Sequence, residues 1–196
     1  MKLIEPDDIT VLILAGGKGR RLGGQDKGLV EYQGRALIEH VIDIMQRQTS
    51  NILINANRNQ QRYQQLGYPV IADTLDDFQG PLAGFLAAMS AAKTRYILTL
   101  PCDGPQVADD YLQTMVDGFN AELANGKPCR IAVATDGVHV QPVYALIDAS
   151  LKPDLTEFLC GDERKIMRWY HRHPCVQVAF AEAMFSNINS PQDLQT

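Results

Sequence analysis

The sequence predicts an α/β fold: a three-layer α/β/α sandwich around a mostly parallel, twisted sheet. Three observations predict it. Apolar runs rich in β-branched residues recur along the chain, as in ITVLILAG, NILINAN and RYILTLPCD. Helix-like segments stand between these runs. The runs are apolar almost throughout rather than alternating, the pattern of strands covered on both faces. A length of 196 residues with 45% hydrophobic and 21% charged content fits one soluble globular domain spanning 1–196 with a sizeable core.

The elements follow in order. Residues 9–16 read as the first strand, and a glycine-rich loop follows it. GRALIEHVIDIMQRQ places Leu37, Val41, Ile44 and Met45 on one face of a helix. NILINAN (51–57) is the second strand, followed by a polar helix over 59–66. YPVIAD is a short strand ending at Asp73. The loop TLDDFQGPLAG leads into a small-residue helix, FLAAMSAAK, and RYILTLPCD (95–103) is the fourth strand, again closing on an aspartate. A helix over 109–124 precedes two strand candidates, CRIAVATD and VQPVYALI. The second of these is expected to be antiparallel or at an edge, because Pro142 has no N–H for the ladder. Residues 149–173 read as helical, CVQVAFAE as a last strand, and SNINSPQDL closes the chain.

Composition excludes several classes. No apolar segment approaches the roughly 20 residues of a membrane span, and MKLIEPDDIT has no signal-peptide pattern. Four cysteines lie far apart with no C-x-x-C pair. This argues against disulfide or zinc frameworks and for a reducing cytosol, hence a cytoplasmic protein. A net charge of -5 argues against general nucleic-acid binding, so any positive charge that matters must be local. It is local in LILAGGKGRRLGGQDK (12–27), where five glycines accompany Lys18, Arg20, Arg21 and Lys27.

That loop can be tested against known phosphate-binding patterns. A P-loop needs G-x-x-x-x-G-K-[ST], but Lys27 follows Asp26 and precedes Gly28. A dinucleotide fingerprint needs a third glycine where Leu22 stands, and the second strand ends in Asn55 and Asn57, not in an acid. Glycine backbones such as Gly16 and Gly17 do let several N–H groups converge on phosphate. Arginine adds a bidentate fork and lysine a compact charge, and Arg21 and Lys27 are the candidates for a triphosphate. A simple turn and a solvated basic face are the competing readings of the same residues.

Asn55, Asp73 and Asp103 stand at strand ends, where ligands of open parallel sheets bind. Each could alternatively cap a helix or form a turn. Asp103, after apolar YILTLPC, has the position of a metal ligand, and Mg2+ takes one or two carboxylates with phosphate and water oxygens. Asp73 offers an acceptor-only carboxylate that complements the N1–H and N2 donors of guanine.

The blocks LAGGKGRRLGGQDKGL, NANRNQQRY, GPLAG, PCDGP and NINSP resemble the molybdenum cofactor guanylyltransferases, MobA-type members of the nucleotidyltransferase superfamily. The likeness runs from residue 12 to about 191. It implies a Rossmann-like nucleotidyltransferase fold and transfer of GMP from GTP to the terminal phosphate of molybdopterin, with release of pyrophosphate. It also implies nucleotide contacts at Leu14, Ala15, Gly16, Lys27, Asn55, Asp73 and Asp103, with Mg2+ on Asp103. On the pterin side the resemblance points to Gly80, Pro81 and Leu82 of GPLAG, to Asn187 and Asn189, and to Arg164 or Lys165 of GDERKIM. Asn189 could equally cap a helix begun at Pro191. The partners implied are GTP and molybdopterin as substrates, with transient contact to molybdenum-cofactor insertion proteins or recipient enzymes, and neither nucleic acid nor membrane.

Two positions depart from the family pattern: Gly104 replaces a larger residue after P-C-D, and Gln141 precedes Pro142 where His or Glu is frequent. His171 and His173, two apart, do not share a helix face and are poor co-ligands. Cys102 and Cys160 read as small apolar fillers. The rival readings are a cytidylyl or sugar-phosphate nucleotidyltransferase and a non-catalytic GTP-binding cofactor carrier.

Overall fold

The computed structural model describes residues 3–15, 25–74, 80–161, 163–189 and 192–195. Among these the chain forms Ile9–Leu14 (β1), Glu31–Tyr32 (β2), Arg35–Ala36 (β3), Leu37–Met45 (α1), Ile52–Asn55 (β4), Gln60–Gln64 (α2) and Val70–Ile71 (β5). It continues with Pro81–Ala91 (α3), Tyr96–Pro101 (β6), Tyr111–Ala124 (α4), Ile131–Thr135 (β7) and Val140–Asp148 (β8). Lys152–Cys160 (α5), Ile166–Tyr170 (α6) and Cys175–Ala179 (β9) complete it.

The main sheet has seven strands in the order β5-β4-β1-β6-β8-β7-β9. Neighbours run parallel except at β8, which is antiparallel to both β6 and β7. The apolar runs explain the layering. Along β1, Val11 and Ile13 pack in a cluster with Val41 and Met45 of α1 and Met115 and Phe119 of α4, while Leu12 turns the other way. Leu12 meets Leu82, Phe85 and Leu86 of α3, in a cluster that also holds Leu155 of α5 and Trp169 of α6. The sheet is thus covered on both faces. Each fully buried large side chain contributes about 1.5–3 kcal/mol. Helix α3 is buried from Leu82 to Met89, so its lack of a polar face fits its place between the sheet and α5.

Several expectations are corrected. VQPVYALI is antiparallel, the first of its two expected placements, and lies inside the sheet rather than at an edge. Pro142 is accommodated because the β7–β8 register shifts between Val133 and Ala134, so that Val133 pairs with Ala145 but Ala134 with Gln141. The helical stretch over 149–173 is broken between α5 and α6. There the Glu163 carboxylate accepts from the backbone N–H groups of Arg164 and Lys165 at 2.9 and 3.0 Å, a local pairing that competes with continued helix. On α1, Ile38 and Ile42 are buried and Ile44 only half-buried. Glu31–Ala36 forms a β2–β3 hairpin, where the sequence leaves 31–33 unassigned and begins its helical segment at Gly34. Cys102 is buried as expected, whereas Cys160 is exposed at the end of α5.

Candidate functional site

The chain leaves β1, builds β4 and β5 to one side, then returns to place β6 on the other side of β1. That reversal opens a crevice at the carboxyl ends of the strands. The strands bring residues from distant parts of the chain to this crevice.

Lys27 begins a short 3-10 turn (Lys27–Leu29). Its Nζ donates to Asp103 Oδ2 and, at 2.6 Å, to Asn189 Oδ1. The two ion-paired side chains are only 18% and 16% exposed, so the pair is partly withdrawn from solvent. Asp103 Oδ1 is buried and has no hydrogen-bond partner among the described residues. The backbone N–H of Ile188 donates to the Asp103 carbonyl at 2.9 Å, which docks the chain's closing segment on this turn. Asn189 therefore gives its side-chain oxygen to Lys27. Its own N–H is taken by Asp193 Oδ2 at 2.8 Å.

Asn55 and Asp73 form a second group. Asn55 Nδ2 donates to Asp73 Oδ1 at 2.9 Å, and Asn57 Nδ2 donates to Asp73 Oδ2 at 2.7 Å. The Asp73 N–H returns a bond to Asn57 Oδ1 at 2.8 Å. Two amides thus clamp the carboxylate and leave a second lone pair on each oxygen. Gly84 of α3 makes this approach feasible: a Cβ there would stand 2.5 Å from Leu14 Cδ2 and 2.7 Å from Asn55 Oδ1.

Leu14 and Ala15 carry the β1 pairing past the strand end. The Ala15 N–H donates to Asn55 O at 2.8 Å, and Leu14 O accepts from Cys102 N at 3.0 Å. Those two backbone groups are therefore already committed. Gly16, Gly17 and Arg21 lie outside the described residues. Gly80 has φ +74° and is the N-cap of α3, with Pro81 at the first helical position. The Leu82 side chain is fully buried in the core, so this residue has only its backbone to offer a substrate. Arg164 joins neither group; its guanidinium donates to the carbonyls of Gly161 and Glu163. Asn187 Oδ1 would lie 3.1 Å from a Cβ at Gly104, next to Asp103. His173 bonds Asp154 at 2.9 Å and packs edge-on against Trp169, while His171 is exposed. Neither histidine takes part in the Lys27 or Asp73 groups.

Two supporting residues escaped the sequence reading. Asp26, just before Lys27, accepts from the buried Tyr63 hydroxyl at 2.6 Å and from Asn59 Nδ2 at 2.9 Å. This fastens the lysine's turn to α2. Burial above all, with Cys102 and Asp26 nearby, holds the Tyr63 phenol well above its ordinary range, so it remains a donor. Asn57 was noted only as a missing acid. Its alternation with Asn55 at the end of one strand was the available signal.

A family model for the MobA-like NTP transferase domain matches residues 11–178. A molybdenum cofactor guanylyltransferase of Shewanella woodyi is 44% identical over 189 residues, covering 95% of this chain and 94% of the relative. One from Shewanella sp. strain W3-18-1 is 45% identical over the same length. Among solved structures, molybdopterin-guanine dinucleotide biosynthesis protein A from Archaeoglobus fulgidus aligns with a TM-score of 0.75 at 24% identity over 95% of each chain. A 4-diphosphocytidyl-2C-methyl-D-erythritol synthase from Anaerococcus prevotii aligns at 0.69 with 13% identity over 95% of this chain and 94% of that one. The structural likenesses establish the shared fold.

Proposed function

This chain belongs to the MobA-like NTP transferase family, and from that membership we propose that it transfers GMP from GTP to the terminal phosphate of molybdopterin. The products are the guanine dinucleotide cofactor and pyrophosphate. Near-full-length similarity to proteins named molybdenum cofactor guanylyltransferase supports the reading. The observation that carries it to the site is the pairing of Lys27 with Asp103 where β1 and β6 end. The chain acts as one nucleotidyltransferase domain over 1–196.

The nucleophile is a phosphate oxygen, already ionised at neutral pH, so no dedicated base is required. It attacks the α-phosphorus in line and pyrophosphate leaves. Lys27, with Arg21, holds the triphosphate, and backbone N–H groups of the Gly16–Gly17 segment add donors. Asp103 is suited to hold a divalent cation such as Mg2+. Among the described residues its Oδ1 is a buried acceptor without a donor, and no group of three or more His, Cys, Asp or Glu gathers there. One carboxylate completed by phosphate oxygens and water is a Mg2+ donor set. When bound, the cation supplies charge neutralisation at the phosphates. Asn187, Asn189 and the Gly80–Pro81 turn face the pterin substrate, which also explains why Asn189 reaches Lys27. Arg164 serves the pterin phosphate only if it leaves its carbonyl partners.

Asp73 reads the base. Its free lone pairs accept from the two guanine donors, whereas adenine presents an acceptor at N1. Sites built to pair substrate donors reject misfits strongly. With equal GTP, ATP and CTP in competition, GTP is expected to be used preferentially, and Asp73→Ala to narrow that preference. Each lost bond to the ionised acceptor costs roughly 1.5–3 kcal/mol. Equal use of CTP or ATP by the native protein would refute guanylyl transfer and favour a cytidylyl or sugar-phosphate enzyme. Pyrophosphate release from molybdopterin, Mg2+ and each NTP in turn tests the whole reading. Absence of release, with GTP still bound, would point to a cofactor carrier that does no chemistry.

A further inference from the structure

We propose that Tyr144 is a positioning residue for the transfer reaction, donating its phenolic hydrogen to the Asp103 carboxylate in the nucleotide-bound state. The inference rests on the reading of Asp103 as a cation ligand. Tyr144 lies in β8, the antiparallel neighbour of β6, and Asp103 follows β6 directly. Among the described residues, three buried side-chain polar atoms have no hydrogen-bond partner. Two of them are Asp103 Oδ1 and Tyr144 OH, the latter set against Gly104, the residue after Asp103. One is a donor without an acceptor and the other an acceptor without a donor. Leaving such groups buried costs stability, and native proteins hold few of them.

The hydroxyl is aimed by its surroundings. Tyr144 is 2% exposed. Its ring is held edge-on by Tyr111 at 6.0 Å and Phe185 at 5.3 Å between centroids. Gly104 supplies the room: a Cβ there would stand 2.2 Å from Tyr144 OH and 3.1 Å from Asn187 Oδ1. The phenol therefore occupies the hollow that any larger residue after P-C-D would fill from the other side. A phenol keeps its proton at neutral pH, so the group is a donor.

Lys27 supports the Oδ2 side of Asp103 in the present arrangement. Once Lys27 turns to phosphate, the carboxylate loses that partner. A carboxylate that ligates a cation is ordinarily held in orientation by further hydrogen bonds, and Tyr144 is the donor placed to supply one.

Tyr144→Phe deletes only the hydroxyl. Affinity for the Mn2+·GTP complex is expected to fall about tenfold, within the range for loss of a ligand-orienting partner. Binding of GTP in EDTA should be unchanged, and Tm should hold or rise because an unpaired buried hydroxyl is gone. Gly104→Ser should damage the native background, where its side chain meets the phenol. In the Tyr144→Phe background it should be tolerated and restore Mn2+·GTP binding, since the serine hydroxyl enters the vacated hollow. Native Mn2+·GTP affinity in folded Tyr144→Phe overturns the inference, as does an equal weakening of metal-bound and metal-free GTP with a lowered Tm. If Asp103→Asn also binds Mn2+·GTP normally, the cation reading of Asp103 falls as well. If Asp103→Asn loses that binding and Tyr144→Phe keeps it, only Tyr144 is withdrawn.

Discussion

Asp103→Asn should reduce pyrophosphate release from GTP and molybdopterin by about 10²–10³-fold or more, the cost of removing one preorganised electrostatic group at developing charge. Folding should change little, because the amide oxygen can still accept from Lys27 and from no other described side chain. The side chain is near-isosteric, and its backbone carbonyl keeps the bond from Ile188 N. What is lost is the charge on an oxygen that has no donor among the described residues. Steady-state turnover against Mg2+ concentration, alongside thermal melting, separates the two effects. A folded Asp103→Asn protein with native metal-dependent turnover would remove Asp103 from the chemistry.

Lys27→Ala should lower kcat/KM for GTP by a comparable factor, about 10²–10³-fold, and here stability should fall too. Lys27 answers two acceptors, Asp103 Oδ2 and Asn189 Oδ1. Removing it leaves a partly buried carboxylate without a cation, a loss of roughly 1–3 kcal/mol. It also releases the Asn189 side chain, although Ile188 still docks the segment on the Asp103 carbonyl, so KM for molybdopterin should rise together with KM for GTP. Lys27→Arg retains the charge but not the compact ammonium geometry, and should recover stability before it recovers rate. Urea unfolding and initial rates measured on the same preparations check both parts. Native kinetics in a folded Lys27→Ala protein would discard the loop as a triphosphate site.

Much of this was legible in the sequence because its signals are local. Continuous apolar runs at 9–14, 52–55 and 96–101 mark buried parallel strands, and polar residues at or within two positions of strand ends mark the edge of the candidate site, as at Asn55, Asp73 and Asp103. What was illegible depends on register and long-range approach. Tyr144 reads as one aromatic in an apolar strand. Only the pairing of β8 with β6 sets it beside Gly104, some 40 residues earlier in the chain. Asp26 and Tyr63 lie 37 residues apart, and no spacing rule joins them. The interior position of Pro142 required a register shift that composition does not announce. Leu82 sits inside a motif that resembles a substrate loop, yet the helix that begins at Pro81 turns its side chain into the core.

The mutual pairing of Lys27 and Asp103 has a consequence for the order in which ligands enter. At rest the cation and anion neutralise one another, and each later needs a new counterion: phosphate for the lysine, metal for the carboxylate. A metal-nucleotide complex brings both at once, so the exchange conserves charge balance. A bare divalent ion must instead displace an ammonium already in place, and a metal-free triphosphate draws that ammonium away from the carboxylate. The resting protein should therefore bind Mn2+ poorly in calorimetry without GTP and gain affinity when the two are added together. High Mn2+ affinity without nucleotide would show that the ion pair offers no such barrier. Under the proposed function, the salt bridge would then act as a turnstile that passes the nucleotide and its metal together.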